Sequence, residues 1–282
     1  MTTAEVETTT RTAGRFRERL DAAVEANNSL LCVGLDPDPA RMPIGVSLRD
    51  FLGGIIEATA DLVCAYKPNA AFFEQYGDDG WRALRDVIAM VPDQIPVLLD
   101  AKRGDVGHTA AAYASAVYDW VGADAVTLNP YLGIDALEPF LAYEDRHVFV
   151  LCRTSNPSAG DLQDLMAGDV RLYERVAELS RDWNQKGNVG LVVGATYPQE
   201  AARVREICPD QLILLPGVGA QQGDINAAVG AAVDANGRGV LVNASRGVIY
   251  AQPVKNGCAV GGWAEAPRDA ARHLRDAINL AR

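Results

Sequence analysis

Short, almost wholly apolar runs recur along the chain, separated by stretches in which apolar residues return every three or four positions. The runs are Leu30–Leu35, Leu62–Tyr66, Pro96–Leu99, Ala125–Leu128, Val148–Leu151, Val189–Val193, Gln211–Leu215 and Gly239–Val242. Runs without polar alternation are expected of parallel strands covered on both faces, so each predicts one buried strand. The intervening stretches Arg15–Ala26, Leu48–Ala60, Trp81–Met90, Thr109–Trp120, Val170–Lys186, Gln199–Ile207, Ile225–Asn236 and Pro267–Leu280 predict amphipathic helices. Pro267 is suited to a first turn. Shorter helical segments fall around Ala71–Tyr76 and Ile134–Ala142. Residues 1–12 have no periodic apolar face and are expected to be a disordered tail, leaving residues 13–282 as a single domain.

Eight βα units in roughly 250 residues predict an α/β fold of the (β/α)8 TIM-barrel type. A doubly wound open sheet is the alternative. It calls for a Gly-rich first turn, whereas here the first apolar run ends in Gly34-Leu35-Asp36-Pro37-Asp38. In a barrel the C-terminal ends of the strands line the active site, which makes strand ends functional addresses. Read in order, they carry Asp36, Lys67-Pro68-Asn69, Asp100-Ala101-Lys102, Asn129-Pro130-Tyr131, Arg153-Thr154-Ser155, Pro216-Gly217-Val218-Gly219-Ala220-Gln221 and Asn243-Ala244-Ser245-Arg246-Gly247.

The stretch Leu98-Leu99-Asp100-Ala101-Lys102-Arg103-Gly104-Asp105 is central to this rim. Strand side chains two apart project together, so Asp100 and Lys102 are expected side by side, with Asp105 just past the Gly104 turn. An ammonium between carboxylates suits proton handling. The plainer reading is a surface salt bridge with an aspartate capping the next helix. Asp36 before Pro37 would by itself only start a turn, and Lys67 by itself would only reach for solvent. Together, Asp36, Lys67, Asp100 and Lys102 would hold one another ionised in a low-dielectric mouth. The last two loops suit a phosphate: Gly217 and Gly219 let backbone N–H groups approach an anion, Gln221 adds a neutral donor, and Arg246 a planar guanidinium. Arg246 could otherwise cap a carbonyl.

Composition narrows the partners. The 282 residues carry a formal charge of −11 with no basic stripe, so neither nucleic acid nor an acidic membrane is an expected partner. Five cysteines, none in CxxC spacing, predict neither a zinc site nor a disulfide framework, and suit a reducing compartment. His108, His147 and His273 are too scattered for a histidine metal site or a Ser-His-Asp triad. With no apolar run near 18 residues and a Thr- and Glu-rich start, a soluble, cytoplasmic protein is expected.

Asp100-x-Lys102-x-x-Asp105, together with Gly34-Leu35-Asp36, Tyr66-Lys67-Pro68-Asn69, Pro216-Gly217-Val218-Gly219-Ala220-Gln221 and Ser245-Arg246-Gly247, resembles the orotidine 5'-phosphate decarboxylase family. The string from Asp100 to Gly107 is similar to its longer bacterial subgroup, type 2. The resemblance runs from about Leu30 to Tyr250. Gln222 stands where the family often has Gly, and Ala244 where it often has Ser. The resemblance implies decarboxylation of orotidine 5'-monophosphate to UMP and CO2 in pyrimidine biosynthesis, without metal or organic cofactor. It also implies a homodimer whose sites borrow Asp105 and Thr109 from the partner chain. Lys102 would give the proton to C6, and Asp100 would lie beside the substrate carboxylate. Asp36 and Lys67 would hold the ribose hydroxyls together with Asp105 of the partner subunit, and Ser155 would read the pyrimidine. Gln221 and Arg246 would hold the phosphate, with Gly217 and Gly219 in the same loop. The segments Ser155–Gly168 and Ala220–Asp224 are candidates for closure over the substrate. Competing readings are a metal-dependent sugar-phosphate decarboxylase, an aldolase-like barrel with a Schiff base on Lys102 or Lys67, and a catalytically silent nucleotide-binding barrel.

Overall fold

The computed structural model describes residues 14–218, 224–252 and 264–282. In chain order the strands are β1 (Leu31–Leu35), β2 (Ala65–Pro68), β3 (Leu98–Arg103), β4 (Ala125–Leu128), β5 (His147–Arg153), β6 (Met166–Ala167), β7 (Val170–Arg171), β8 (Val189–Val193), β9 (Ile213–Pro216) and β10 (Val240–Ala244). β6 and β7 form a small antiparallel hairpin. The other eight are parallel and run β2-β1-β10-β9-β8-β5-β4-β3. Bridges from Tyr66 to Val97 and from Asn69 to Asp100 join the two ends of this order. The Tyr66 N–H to the Pro96 carbonyl (3.0 Å) and the Ala70 N–H to the Asp100 carbonyl (3.2 Å) reinforce the seam. The expected barrel is therefore present, and it closes between the two strands that carry Lys67 and Asp100.

The strands form where the apolar runs predicted them because their side chains are buried on both faces; every residue of β1, β2, β4, β8 and β10 is buried. The helix Leu48–Thr59 shows how the outer layer is built. Its Ser47 cap accepts the Asp50 N–H at 3.1 Å, and Phe51, Leu52, Ile55 and Ile56 fall on one buried face. Truncating one such leucine to alanine costs about 2–5 kcal/mol.

Several boundaries differ from expectation. The second apolar run pairs as β2 from Ala65 rather than from Leu62: Leu62 and Val63 are buried as core, but the ladder starts later. The Thr109–Trp120 helix is an α-helix over Gly107–Ser115 followed by a π-turn over Ala116–Val121, closed by Gly122 at φ +79. Val170 and Arg171 pair in the hairpin, so the helix after them begins at Leu172. The expected tail, residues 1–12, lies outside the described residues.

The end of the barrel opposite the strand C-termini has its own charged cluster. Asp124, only 1% exposed, receives Arg19 Nη1 at 2.5 Å, Arg146 Nη1 at 3.1 Å and the Val97 N–H at 2.8 Å. His147 lies beside it between Phe16 and Phe149. Burial, aided by Arg17, pushes its pKa down to about 3, so it is a neutral core residue rather than a catalytic one. Among the described residues no helix is long and apolar enough to cross a membrane.

Candidate active site

The site is assembled at the seam. β3 is irregular where it matters: Leu99 pairs with Val126 and Arg103 with Leu128, so β3 advances four residues while β4 advances two. The surplus bulges at Asp100–Lys102, and Lys102 takes φ +49, a left-handed conformation rare outside glycine. Such a residue costs on the order of 1–3 kcal/mol and persists where its surroundings hold it. Asp100 and Lys102 do meet as expected, but through this bulge rather than through a regular pleat.

Asp100 Oδ1 accepts from Lys102 Nζ at 2.6 Å and from the Thr127 hydroxyl at 2.8 Å. Its Oδ2 accepts from Lys67 Nζ at 3.2 Å and from Asn69 Nδ2 at 3.4 Å. Of the expected motif, one ammonium between carboxylates, a single chain holds the Asp100–Lys102 half. Within the chain a single carboxylate sits between two ammoniums, and among the described residues no ion pair joins Asp105 to Lys102. Asp105 instead lies beyond the Gly104 turn with its Oδ1 accepting the Val106 N–H at 2.8 Å, and Val106 rather than Asp105 takes the cap position of the next helix.

Electrostatics fix the charge states of the buried pair. Burial alone would lower the Lys67 pKa, but Asp100 and Asp36 override it and hold the group well above its ordinary value. Burial alone would raise the Asp100 pKa; Lys67, Lys102 and the hydrogen bonds from Lys102 and Thr127 hold it well below the usual carboxylate range. Lys67 is therefore an ammonium, which does not suit it to Schiff-base chemistry. Asp36, at the end of β1, has a buried Oδ1 without a hydrogen-bond partner among the described residues. An unsatisfied carboxylate oxygen beside a buried ammonium is an acceptor suited to a ligand hydroxyl.

A cavity of about 400 Å3 opens here, bounded by Lys67, Asp100 and Lys102 on one side and by Leu151, Val192 and Pro216 on the other. Ser155 reaches it from the end of β5. Gly194 permits this approach, since a Cβ there would lie 2.7 Å from the Ser155 Cβ. Thr109 is half-buried on the helix after Asp105. Arg246 is exposed at the start of the short helix Arg246–Ile249, and Gly217, at φ +103, turns the chain out of β9. Gly219, Gln221 and Gln222 lie outside the described residues, as do Cys258 and all but the ends of the Gln252–Glu265 segment.

Two residues of the cavity wall escaped the sequence reading. Thr127 is the one hydroxyl in the apolar run of β4, a signal that was visible in the sequence. Gln163 lies in a connection with no local pattern to single it out. Its Oε1 accepts the Thr154 N–H at 2.9 Å and its Nε2 donates to the Thr154 hydroxyl at 2.8 Å. Arg153 Nη2 pairs with Asp164 at 3.2 Å and its guanidinium lies 3.9 Å over the Tyr197 ring. The expected closing segment Ser155–Gly168 is thus built of short helical turns and half of the β6–β7 hairpin, tied to the barrel by these bonds.

The family model described as "Orotidine 5'-phosphate decarboxylase / HUMPS family" matches residues 29–258. The chain belongs to this family. It is 56% identical over 273 residues to the orotidine 5'-phosphate decarboxylase of Roseiflexus castenholzii, covering 94% of this chain and 98% of that protein. Among solved structures it superposes on Leishmania donovani OMP decarboxylase with TM-score 0.84 and 45% identity, over 95% of this chain and 98% of that one. Leishmania donovani UMP synthase matches at TM-score 0.86 and 46% identity over 95% of this chain, which spans only 57% of that longer protein. The family match encloses every motif of the barrel rim, from Asp36 to Arg246.

Proposed function

We propose that this chain decarboxylates orotidine 5'-monophosphate to UMP and CO2 in pyrimidine biosynthesis, using Lys102 as the proton donor. The observation that carries this reading is Asp100 held between Lys67 and Lys102 at the mouth of the barrel. Loss of CO2 from C6 leaves a carbanion with no adjacent electron sink. A fixed ammonium near that carbon stabilises the developing charge and then delivers the proton. Asp100 keeps the Lys102 ammonium in place and lies beside the substrate carboxylate. Asp36 and Lys67 take the ribose hydroxyls, a role supported by the unpartnered Asp36 oxygen. Ser155 reads the base. Arg246 and Gln221 hold the phosphate, with Gly217 and Gly219 opening the backbone to it. Binding of that remote group supplies energy that orders the site.

The second ion for Lys102 comes, in this reading, from another copy of the chain. Asp105 stands off Lys102 within the chain, and the face around Asp105 and Thr109 exposes Val106, Tyr113, Tyr131 and Leu132. Gly104 packs against the Asn129 carbonyl, which brings the Tyr131 turn alongside. An apolar face of this kind supports a homodimer whose partner supplies Asp105 and Thr109 to each site. The free, buried thiols of Cys32, Cys64, Cys152 and Cys208 support a cytoplasmic setting.

The test is the ultraviolet absorbance of orotidine 5'-monophosphate with wild type and Lys102→Ala, both in chelator. Wild type is expected to consume substrate, and the variant to be slower by on the order of 10^3-fold or more. A folded, dimeric wild type that leaves the substrate unchanged would overturn the proposal.

A further inference from the structure

Thr127 is 1% exposed and sits in β4, whose other residues, Ala125, Val126 and Leu128, are all apolar. Burying a hydroxyl there is unfavourable unless both its donor and its acceptor capacity are used. Both are used, and both on the neighbouring bulge. The Thr127 oxygen accepts the Lys102 backbone N–H at 2.9 Å, and its proton goes to Asp100 Oδ1 at 2.8 Å. The Lys102 N–H has left the β3–β4 ladder at the register shift, and Lys102 is the residue with φ +49. The same Asp100 oxygen receives Lys102 Nζ at 2.6 Å. One side chain thus touches the lysine at its backbone and the carboxylate that holds the lysine's ammonium.

We propose that Thr127 is a positioning residue of this site: its hydroxyl holds the Lys102 backbone in the left-handed bulge and aims Asp100 at the Lys102 ammonium. The inference rests on the reading of Lys102 as proton donor. Without the hydroxyl, the Lys102 N–H has no ladder partner to return to, and Asp100 Oδ1 keeps only the half-exposed Lys102 ammonium. The lysine then samples positions off the reacting carbon, where a small misplacement costs rate rather than binding. The lysine side chain, the ribose contacts and the phosphate contacts all remain, so substrate affinity is preserved.

The experiment compares wild type, Thr127→Val, Thr127→Ser and Lys102→Ala by steady-state kinetics, with UMP binding followed by calorimetry and folding by thermal unfolding. Thr127→Val is expected to lose about 10- to 100-fold in kcat, with KM and UMP affinity held within about 3-fold. Thr127→Ser, which restores the hydroxyl, is expected to recover most of kcat. A purely packing role predicts the reverse, since valine fills the site better than serine. If Thr127→Val fails to fold, Thr127→Ala against Thr127→Ser makes the same comparison, the two differing by one hydroxyl. Equal kcat in the hydroxyl-bearing and hydroxyl-free variants, or a loss confined to KM, overturns the proposal. Retained activity in Lys102→Ala instead overturns the reading beneath it, and the two failures are told apart by that variant alone.

Discussion

Lys67 Nζ lies 3.2 Å from Asp100 Oδ2, with the two side chains only 4% and 12% exposed. A pair this dry repays little of its own desolvation, and removing one partner strands the other as a buried charge. Its value lies in holding fixed charges at a place where a substrate arrives.

The pair's pH dependence follows from its two shifts. Asp100 is depressed, so its contribution to stability is complete above the unfolded carboxylate pKa and is lost as pH falls through the lower folded value. Lys67 is raised, so its contribution is complete below the unfolded ammonium pKa and is lost as pH rises through the higher folded value. The stability difference between wild type and Lys67→Met/Asp100→Leu, which lacks both groups, is therefore expected to be flat between about pH 5 and 9, and to change in strong acid and strong base. Urea unfolding across that range measures it; a steady slope between those limits contradicts the assigned charge states.

At the opposite end of the barrel, Asp124 takes Arg19 and Arg146 far from the rim. Asp124→Ala leaves two arginines without their shared partner and is expected to cost about 3–5 kcal/mol. The kcat/KM of the folded fraction should stay within about 2-fold of wild type, because strand N-terminal ends serve stability in this architecture. Denaturant midpoints and kinetics on the same preparation separate the two effects. A variant of native stability that has lost activity would contradict this division.

Gln163 clamps Thr154 through both its backbone N–H and its hydroxyl. Gln163→Ala is expected to loosen the segment that presents Ser155, raising KM on the order of 10-fold with a smaller change in kcat. Substrate saturation curves decide the matter, and an unchanged KM would show that Ser155 is held by the Gly194 contact alone.

Because Asp105 makes no ion pair with Lys102 within the chain, sites shared between copies can be tested by mixing. Lys102→Ala and Asp105→Ala are each expected to be nearly inactive as homodimers. Unfolded together and refolded, they should regain activity, since one site of each mixed dimer then holds both native residues. No recovery, with mixed dimers verified by mass, would place Asp105 outside the partner's site.

Much of this molecule is written locally. The apolar runs marked eight strands, because burial on both faces leaves no polar alternation. The polar strand ends marked the rim, and Asp100 and Lys102 are close enough in the chain to be paired on inspection. What the tertiary structure decided lies in separations no local pattern spans. Barrel closure brings Lys67 to Asp100 across 33 residues, and the register shift against β4 sets Thr127 on Lys102 across 25. Closure and shift together gave Asp100 two ammoniums within one chain, with Asp105 bonded to the Val106 N–H rather than to Lys102. Periodicity records which side chains leave water. Register and closure depend on the stagger of all eight strands at once, so which buried polar groups meet is settled only when the barrel is complete.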